Sequence, residues 1–415
     1  MPGTQTLHDL QLNAGAEFID YGPADGGAIE FAQGFGHYEA EYASIRQRVG
    51  LMHQPQRAVL RFTGGDRQDF LHRMLTQEVN GLKGGSTVRS FQLNQKGRIV
   101  ADILIHHGDE DTWLEMDRFD LPTVKAMYDS HLFADDVTLE DWTEVRTAFA
   151  LHGPSSEDLL RLVCEEDPKP VAEMLGTHHV LTLAGVKVTV YRQDTCGVPG
   201  FGLWVPTDKA VDVYQALLSA SGFELDQPDA NTDPQAAADF AQRRRASLRG
   251  RPIGWSAFNT ARIEAGSPIF HVDFGEDSIP AETGVLDVAV SFTKGCYLGQ
   301  EIVARMQSLG HPKRLLVGLR IEGDELPVAG TQVTEPVEDD AGNANNNDAP
   351  PTASHKVVGG VTSSAISPIL GHQPVVFAVM KWGKHTPGTR VLIPAEGGLV
   401  RAQVQGLRFL EPPQD

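Results

Sequence analysis

The stretch Lys294-Gly295-Cys296-Tyr297-Leu298-Gly299-Gln300-Glu301 decides how the rest of the chain is read. It sets a lone cysteine in a glycine-rich turn, two residues after a lysine and just ahead of a run that favours a helix. Glycine opens backbone conformations closed to other residues, so the turn can expose the thiol. A neighbouring cation or a helix N-terminus lowers a thiol pKa, and the thiolate is the reactive and metal-binding species. The competing reading is a small buried hydrophobe, the usual state of an isolated cysteine.

A chain of 415 residues is too long for one ordinary core and points to about two or three domains. The hydrophobic fraction of 41% is enough to fill them. A formal charge of -20, from 55 acidic against 35 basic residues, excludes a general nucleic-acid binder, which needs clustered positive charge to displace counterions. Lysine is scarce and the acids are scattered, which reads as a halophile-like surface, with an ordinary acidic cytosolic protein as the rival. Cys164, Cys196 and Cys296 are too few and too far apart for a disulfide framework or a paired-cysteine metal site. The opening residues show no basic segment followed by an apolar one, and no apolar run approaches membrane-spanning length. The expectation is a soluble, cytoplasmic, monomeric protein with no membrane contact.

Working back from the opening stretch, residues 59–65 read as a strand and turn, with Asp66 as N-cap of a helix bearing Phe70, Leu71 and Met74. Residues 90–94 and 99–105 read as two strands joined by Gln95-Lys96-Gly97-Arg98, with Gly97 free to take positive φ. A strand over 113–116 and a helix over 121–132 follow, and a similar succession restarts near residue 147. Strands mixed with helices that cover one sheet face predict an α+β module used twice. The segment 226–234 reads as a linker ending in an Asp233-Pro234 helix start. Beyond His311, short strands near 315–321, 357–363, 375–380, 390–393 and 400–407 suit a small antiparallel barrel. Within it, residues 335–355 are too polar to pack and are expected to form a disordered acidic and Asn-rich loop.

Three segments mix glycine turns with charge: 94–102, 261–268 and 294–301. In Ala261-Arg262-Ile263-Glu264-Ala265-Gly266, alternation on a strand would put Arg262 and Glu264 on one face. An arginine there could clamp a carboxylate and a glutamate could accept paired donors from a heterocycle; the alternative is a surface ion pair.

Together these motifs resemble the glycine-cleavage T-protein (aminomethyltransferase) superfamily, and more narrowly its folate-binding YgfZ branch, which includes a mitochondrial iron-sulfur assembly factor. Residues 294–301 are similar to that branch's KGCYxGQE signature at all seven specified positions. Support comes from Leu93-Asn94-Gln95-Lys96-Gly97-Arg98-Ile99 ahead of Asp102, from 261–266, and from Ile279-Pro280-Ala281-Glu282-Thr283-Gly284. The resemblance spans roughly residues 35–410. It implies a T-protein-like three-lobed α+β architecture, in which two ferredoxin-like lobes surround a central folate cavity and a C-terminal antiparallel β-barrel follows. The lobes would be 1–145 and 146–235, with 236–311 returning to the first and 312–415 forming the barrel.

The resemblance also implies tetrahydrofolate, or a derivative, as cofactor, with Asp102, Arg262, Glu264 and Lys294 as its binding residues. T-proteins carry two adjacent aspartates in a GGIxDD-like segment, and here Ala101-Asp102 keeps only the second. Their folate-gripping glutamate has Val198 as its counterpart. These losses shift the expectation from aminomethyl transfer to the branch's other role, a folate-binding accessory for iron-sulfur assembly or maintenance. Cys296 is then the functional thiol, Asp102 a second catalytic candidate, and iron-sulfur client or assembly proteins the partners. One cysteine cannot hold a four-cysteine cluster, so no stable metal is expected and Cys296 would be a transient ligand. A one-carbon transferase and a non-enzymatic docking scaffold remain as alternatives. The Arg243-Arg244-Arg245 patch reads as a salt-bridged helix face, without direct tRNA contact, and the paired histidines lack zinc spacing.

Overall fold

The computed structural model describes residues 6–23, 27–223, 247–336 and 356–411, with Gln235 and Gln242 between them. The linker at 226–234, the arginine patch at 243–245 and nearly all of the polar loop lie outside the described residues. Contacts divide the chain into two units. One runs to Gln92 and from Ala101 to Asn259; the other comprises Leu93–Val100 and everything from Thr260 onward.

Besides the two-stranded pair Glu17–Tyr21 and Ile29–Gly34, the first unit holds two larger sheets. A five-stranded sheet has the order Ser86–Leu93, Ile99–His107, Thr112–Asp117, Arg57–Thr63, Thr138–Asp141. Successive side chains on a strand point to opposite faces, and burial follows that rule along Ile99–His107. Ile99, Ala101, Ile103 and Ile105 are fully buried, whereas Val100, Asp102 and Leu104 are partly open. The buried face is covered by the helices Arg67–Met74 and Leu121–His131, whose Phe70 and Tyr128 rings lie 5.7 Å apart and both pack on Phe62. Asp66 sits at the expected N-cap position but its carboxylate accepts from the Asp136 N–H at 2.8 Å, so it ties a loop instead of capping the helix.

The second sheet has the order His178–Leu183, Val186–Arg192, Gly200–Pro206, Arg146–His152, Gly50–His53, Arg251–Pro252. Only the last pairing is parallel. Helices Ser156–Val163 and Ala210–Ser221 bury Leu159, Leu160, Val213 and Leu217 against Phe149, Leu151, Val190 and Leu203. Gly222 closes the second helix in the left-handed conformation, at φ 83°, which glycine adopts without steric cost. Gly50–His53 pairs with Arg146–His152 although it lies far to the N-terminal side of residue 145, so the two sheets interleave in sequence.

The second unit contains a closed six-stranded antiparallel barrel: Arg314–Glu322, Gln373–Lys381, Val357–Ser367, Gln332–Thr334, Arg390–Ala395 and Gly398–Gln405, with the last strand pairing back to the first. Closure removes exposed edges, and Leu319, Ile321, Val376, Ala378, Val391 and Val404 fill the interior. Residues 260–311 group with this barrel, while 251–259 stay with the sheets, so the segment divides near residue 260. Both α+β sheets and the C-terminal barrel of the expected fold class are present.

Candidate functional site

The glycine motifs of the second unit meet by close packing. Gly97 turns the hairpin at φ +67°, and a Cβ there would lie 2.6 Å from Cβ of Ile302. Gly299 starts the helix Gln300–Leu309 at φ +82°, and a Cβ there would approach the Asn94 carbonyl oxygen to 2.6 Å. Segments 94–97 and 299–302 therefore form one interlocked piece. Beside it Cys296 is exposed, whereas Cys196 is buried and Cys164 intermediate. Lys294 is buried, with Nζ 5.0 Å from the centre of the Tyr297 ring.

Arg262 and Glu264 do not lie on a strand. They end the helix Trp255–Glu264, in which every residue from Thr260 to Glu264 is buried. Two residues along a helix is about 200° of turn, so the side chains diverge instead of sharing a face. The Arg262 guanidinium donates to Asp273 and, at 2.7 Å, to Ser363 Oγ. The Glu264 carboxylate accepts from Ser367 Oγ at 2.5 Å. Ser363 and Ser367 stand on one barrel strand, so both charges anchor the helix end within their own unit. This is neither the ligand clamp nor the surface ion pair expected of a strand.

The other chemistry-bearing cluster lies between the two sheets of the first unit. Asp102, Leu104 and His106 share the sheet face opposite Ala101. On that face Val59, Leu104 and Trp113 pack with Ala148, Tyr191 and Trp204 of the second sheet. Within the second sheet, Gly202 leaves room for the ring of its cross-strand neighbour Tyr191, since a Cβ there would fall 2.1 Å from that ring. At the centre is Glu115, which accepts from Arg57 Nε at 2.8 Å, Tyr191 OH at 2.8 Å and Trp204 Nε1 at 2.8 Å, and pairs with His106 Nε2 at 3.0 Å. Burial alone would raise the Glu115 pKa, but the Arg57 charge and the His106 and Trp204 hydrogen bonds outweigh it and hold the pKa at about 2. The same burial, reinforced by Glu115, pushes the Tyr191 hydroxyl well above its usual range.

Further along this layer, Thr87 Oγ1 lies 3.1 Å from both His106 Nδ1 and His178 Nδ1. Burial and the neighbouring His106 lower His178 to about 3. Asp102 is gripped by Arg89, with Nε to Oδ1 at 2.9 Å and Nη2 to Oδ2 at 2.5 Å, and its side chain stays 16% exposed. Asp102 thus belongs to a different unit from Arg262, Glu264, Lys294 and Cys296. The sequence reading missed Arg89, Arg57, Glu115, Tyr191 and Trp204. The available signal was an acid inside the otherwise apolar strand Trp113-Leu114-Glu115-Met116. Among the described residues there is no group of three or more His, Cys, Asp or Glu able to hold a metal ion. Nor, among them, is any helix long and apolar enough to cross a membrane.

A pair of α+β sheets enclosing a charged layer, followed in sequence by a closed antiparallel barrel, defines a structural class that family comparison makes specific. A profile described as "GCVT N-terminal domain" matches residues 7–227, and one described as "Glycine cleavage T-protein C-terminal barrel domain" matches residues 314–411. The chain belongs to the glycine-cleavage T-protein family. It is 27% identical to an aminomethyltransferase of Chlorobium luteolum, over 98% of both chains. It is 24% identical to one of Corynebacterium jeikeium, over 97% of this chain and 94% of that one. The crystal structure of glycine cleavage system aminomethyltransferase T from Bartonella henselae superposes with a TM-score of 0.78 at 20% identity, covering 99% of each chain, and so shares the fold.

Proposed function

We propose that the protein is a tetrahydrofolate-dependent one-carbon transferase of the T-protein type, with Asp102 as its working carboxylate. The observation that carries this reading is the face on which residue 102 lies. An aspartate at position 101 would project into the helix-covered core beside Ile99 and Ile103, so Ala101 removes no carboxylate from the layer between the sheets. Asp102 is partly open on that layer. Near full-length similarity to aminomethyltransferases further supports transfer over the other roles.

The residues present fit folate in part. Asp102 can take a hydrogen bond from a reduced pterin, and Arg89 fixes the carboxylate's orientation. Val198 offers no acceptor for pterin donors, and Arg262 and Glu264 act by supporting the barrel from within their own unit. Bound tetrahydrofolate would supply N5 as the one-carbon acceptor. Asp102 would accept a hydrogen bond from that acceptor and orient it, on the sheet face where Trp113, Tyr191 and Trp204 pack. The test is methylenetetrahydrofolate formation from tetrahydrofolate and an aminomethyl-lipoyl donor, in dilute and in molar salt. Asp102→Asn should lower kcat about 10²- to 10³-fold, as removal of one transition-state-stabilising group does. Wild-type protein that binds folate without turnover rejects the reading.

A second reading, iron-sulfur assembly or maintenance in the manner of the YgfZ branch, rests on the exposure of Cys296. Burial and the Glu166 charge push the Cys164 thiol up to about 12, and Cys196 is enclosed, which leaves Cys296 as the accessible thiol. An iron-sulfur cluster would be cargo passed to client proteins, with Cys296 as one ligand. In cells lacking the native copy, Cys296→Ser should then fail to restore cluster-dependent enzyme activity; full rescue removes this reading.

A further inference from the structure

The second unit contains a cavity of about 300 Å³ that serves neither proposed chemistry. The helix Gln300–Leu309 contributes Ile302, Val303 and Met306, and the barrel side contributes Leu315 and Trp382. A further wall comes from Leu286 and Phe292, the latter 39% exposed. The volume is at the lower end of small-molecule sites, which are mostly apolar with a few placed polar groups. Here those groups are Gln307 and Asp287.

Asp287 is the one charged residue among the lining side chains. It has no ion-pair partner among the described residues, whereas the nearby Asp277 and Glu282 both pair with Arg314. The carboxylate is exposed at the mouth of the apolar cavity, where its charge favours a cation over an anion. Trp382 is held in place by stacking on His311, with centroids 4.5 Å apart, and on His385 at 4.2 Å. The imidazoles are themselves fixed: His311 Nδ1 donates to the Pro312 carbonyl at 3.1 Å, and the Gly383 N–H donates to His385 Nδ1 at 3.2 Å. The aromatic wall is preformed.

We propose that this cavity binds a small aliphatic amine, with the hydrocarbon against Ile302, Met306 and Phe292 and the ammonium at Asp287. The site is independent of the one-carbon reading and stands if that reading fails. The experiment titrates the full chain with n-hexylamine, 1-hexanol and hexanoate at constant ionic strength, following heat and tryptophan fluorescence. Hexylamine should saturate and bind about tenfold or more tighter than hexanoate, as a charge-assisted contact implies. Asp287→Asn, at an exposed position, should bring the amine to the affinity of the alcohol. Met306→Trp should fill the cavity and abolish all three, and Trp382→Phe should remove the fluorescence change while the heat remains. Absence of saturable hexylamine binding, equal affinity for amine and carboxylate, or an amine preference unchanged in Asp287→Asn would overturn the proposal. The Asp287 variant decides the charge question whether or not the cavity-filling variant folds.

Discussion

Glu115→Gln lowers unfolding free energy by about 3 kcal/mol, measured as a shift in urea midpoint at pH 7. The substitution leaves the Arg57 guanidinium without its buried counter-charge, and breaking such a pair from one side costs about 3–5 kcal/mol. The lower end applies because Arg57 is 21% exposed and recovers some hydration. The same carboxylate sets an acid limit. Its folded pKa of about 2 lies below the model-peptide value of 4.5, so its contribution is complete above pH 4.5 and is lost as pH falls towards 2. The loss amounts to roughly 3 kcal/mol at 1.36 kcal/mol per unit, and Glu115→Gln should abolish that limb. A separate limb lies at higher pH. His152 is buried with neither ring nitrogen partnered among the described residues, and burial lowers its pKa from 6.5 to about 4. Its contribution is complete above pH 6.5 and is lost as pH falls towards 4, and the His53 ring, also lowered to about 4 by burial, adds to the same window. Stability should therefore fall in two stages on acidification.

Arg262→Met destabilises the second unit by about 3–5 kcal/mol. Asp273 loses a fully buried counter-charge and Ser363 loses a hydrogen-bond donor. The readout is a lowered thermal midpoint of the barrel, followed by near-ultraviolet circular dichroism. A double replacement, Arg262→Met with Asp273→Asn, should recover part of the loss, because no unpaired charge then remains in the interior. A ligand-clamping arginine would behave differently: folate affinity would fall while the apo-protein midpoint stayed in place.

Local pattern accounts for what the sequence made legible. The hairpin around Gly97 was readable because alternating apolar strands flank a glycine that needs positive φ, and it lies there at +67°. Five barrel strands fall where short apolar runs stand between turn residues, and only Gln332–Thr334 was unforeseen, being three residues long. Residues 261–264 were misread because Arg-Ile-Glu alternates like a strand, while a helix end buried on all sides, as Thr260–Glu264 is, lacks the amphipathic period that would have identified it. Gly50–His53 gave no local sign, since its sheet partner begins at Arg146. At the site, Asp102 was legible as a residue but its meaning was not. Whether position 101 or 102 faces the neighbouring sheet depends on strand register, and register is fixed by cross-strand partners distant in sequence.

The interlock of Gly97 with Ile302, and of Gly299 with the Asn94 carbonyl, bears on how much a sequence signature can say. A match at all seven specified positions looks like seven independent votes for one chemistry. Gly299 is required by the backbone passing over it, so its vote is for architecture and would be cast by any protein that folds this way. Once such positions are discounted, the information about chemistry in the signature narrows to Cys296 and its immediate neighbours. Membership of a fold family and possession of its reaction are thus written in different letters of the same motif.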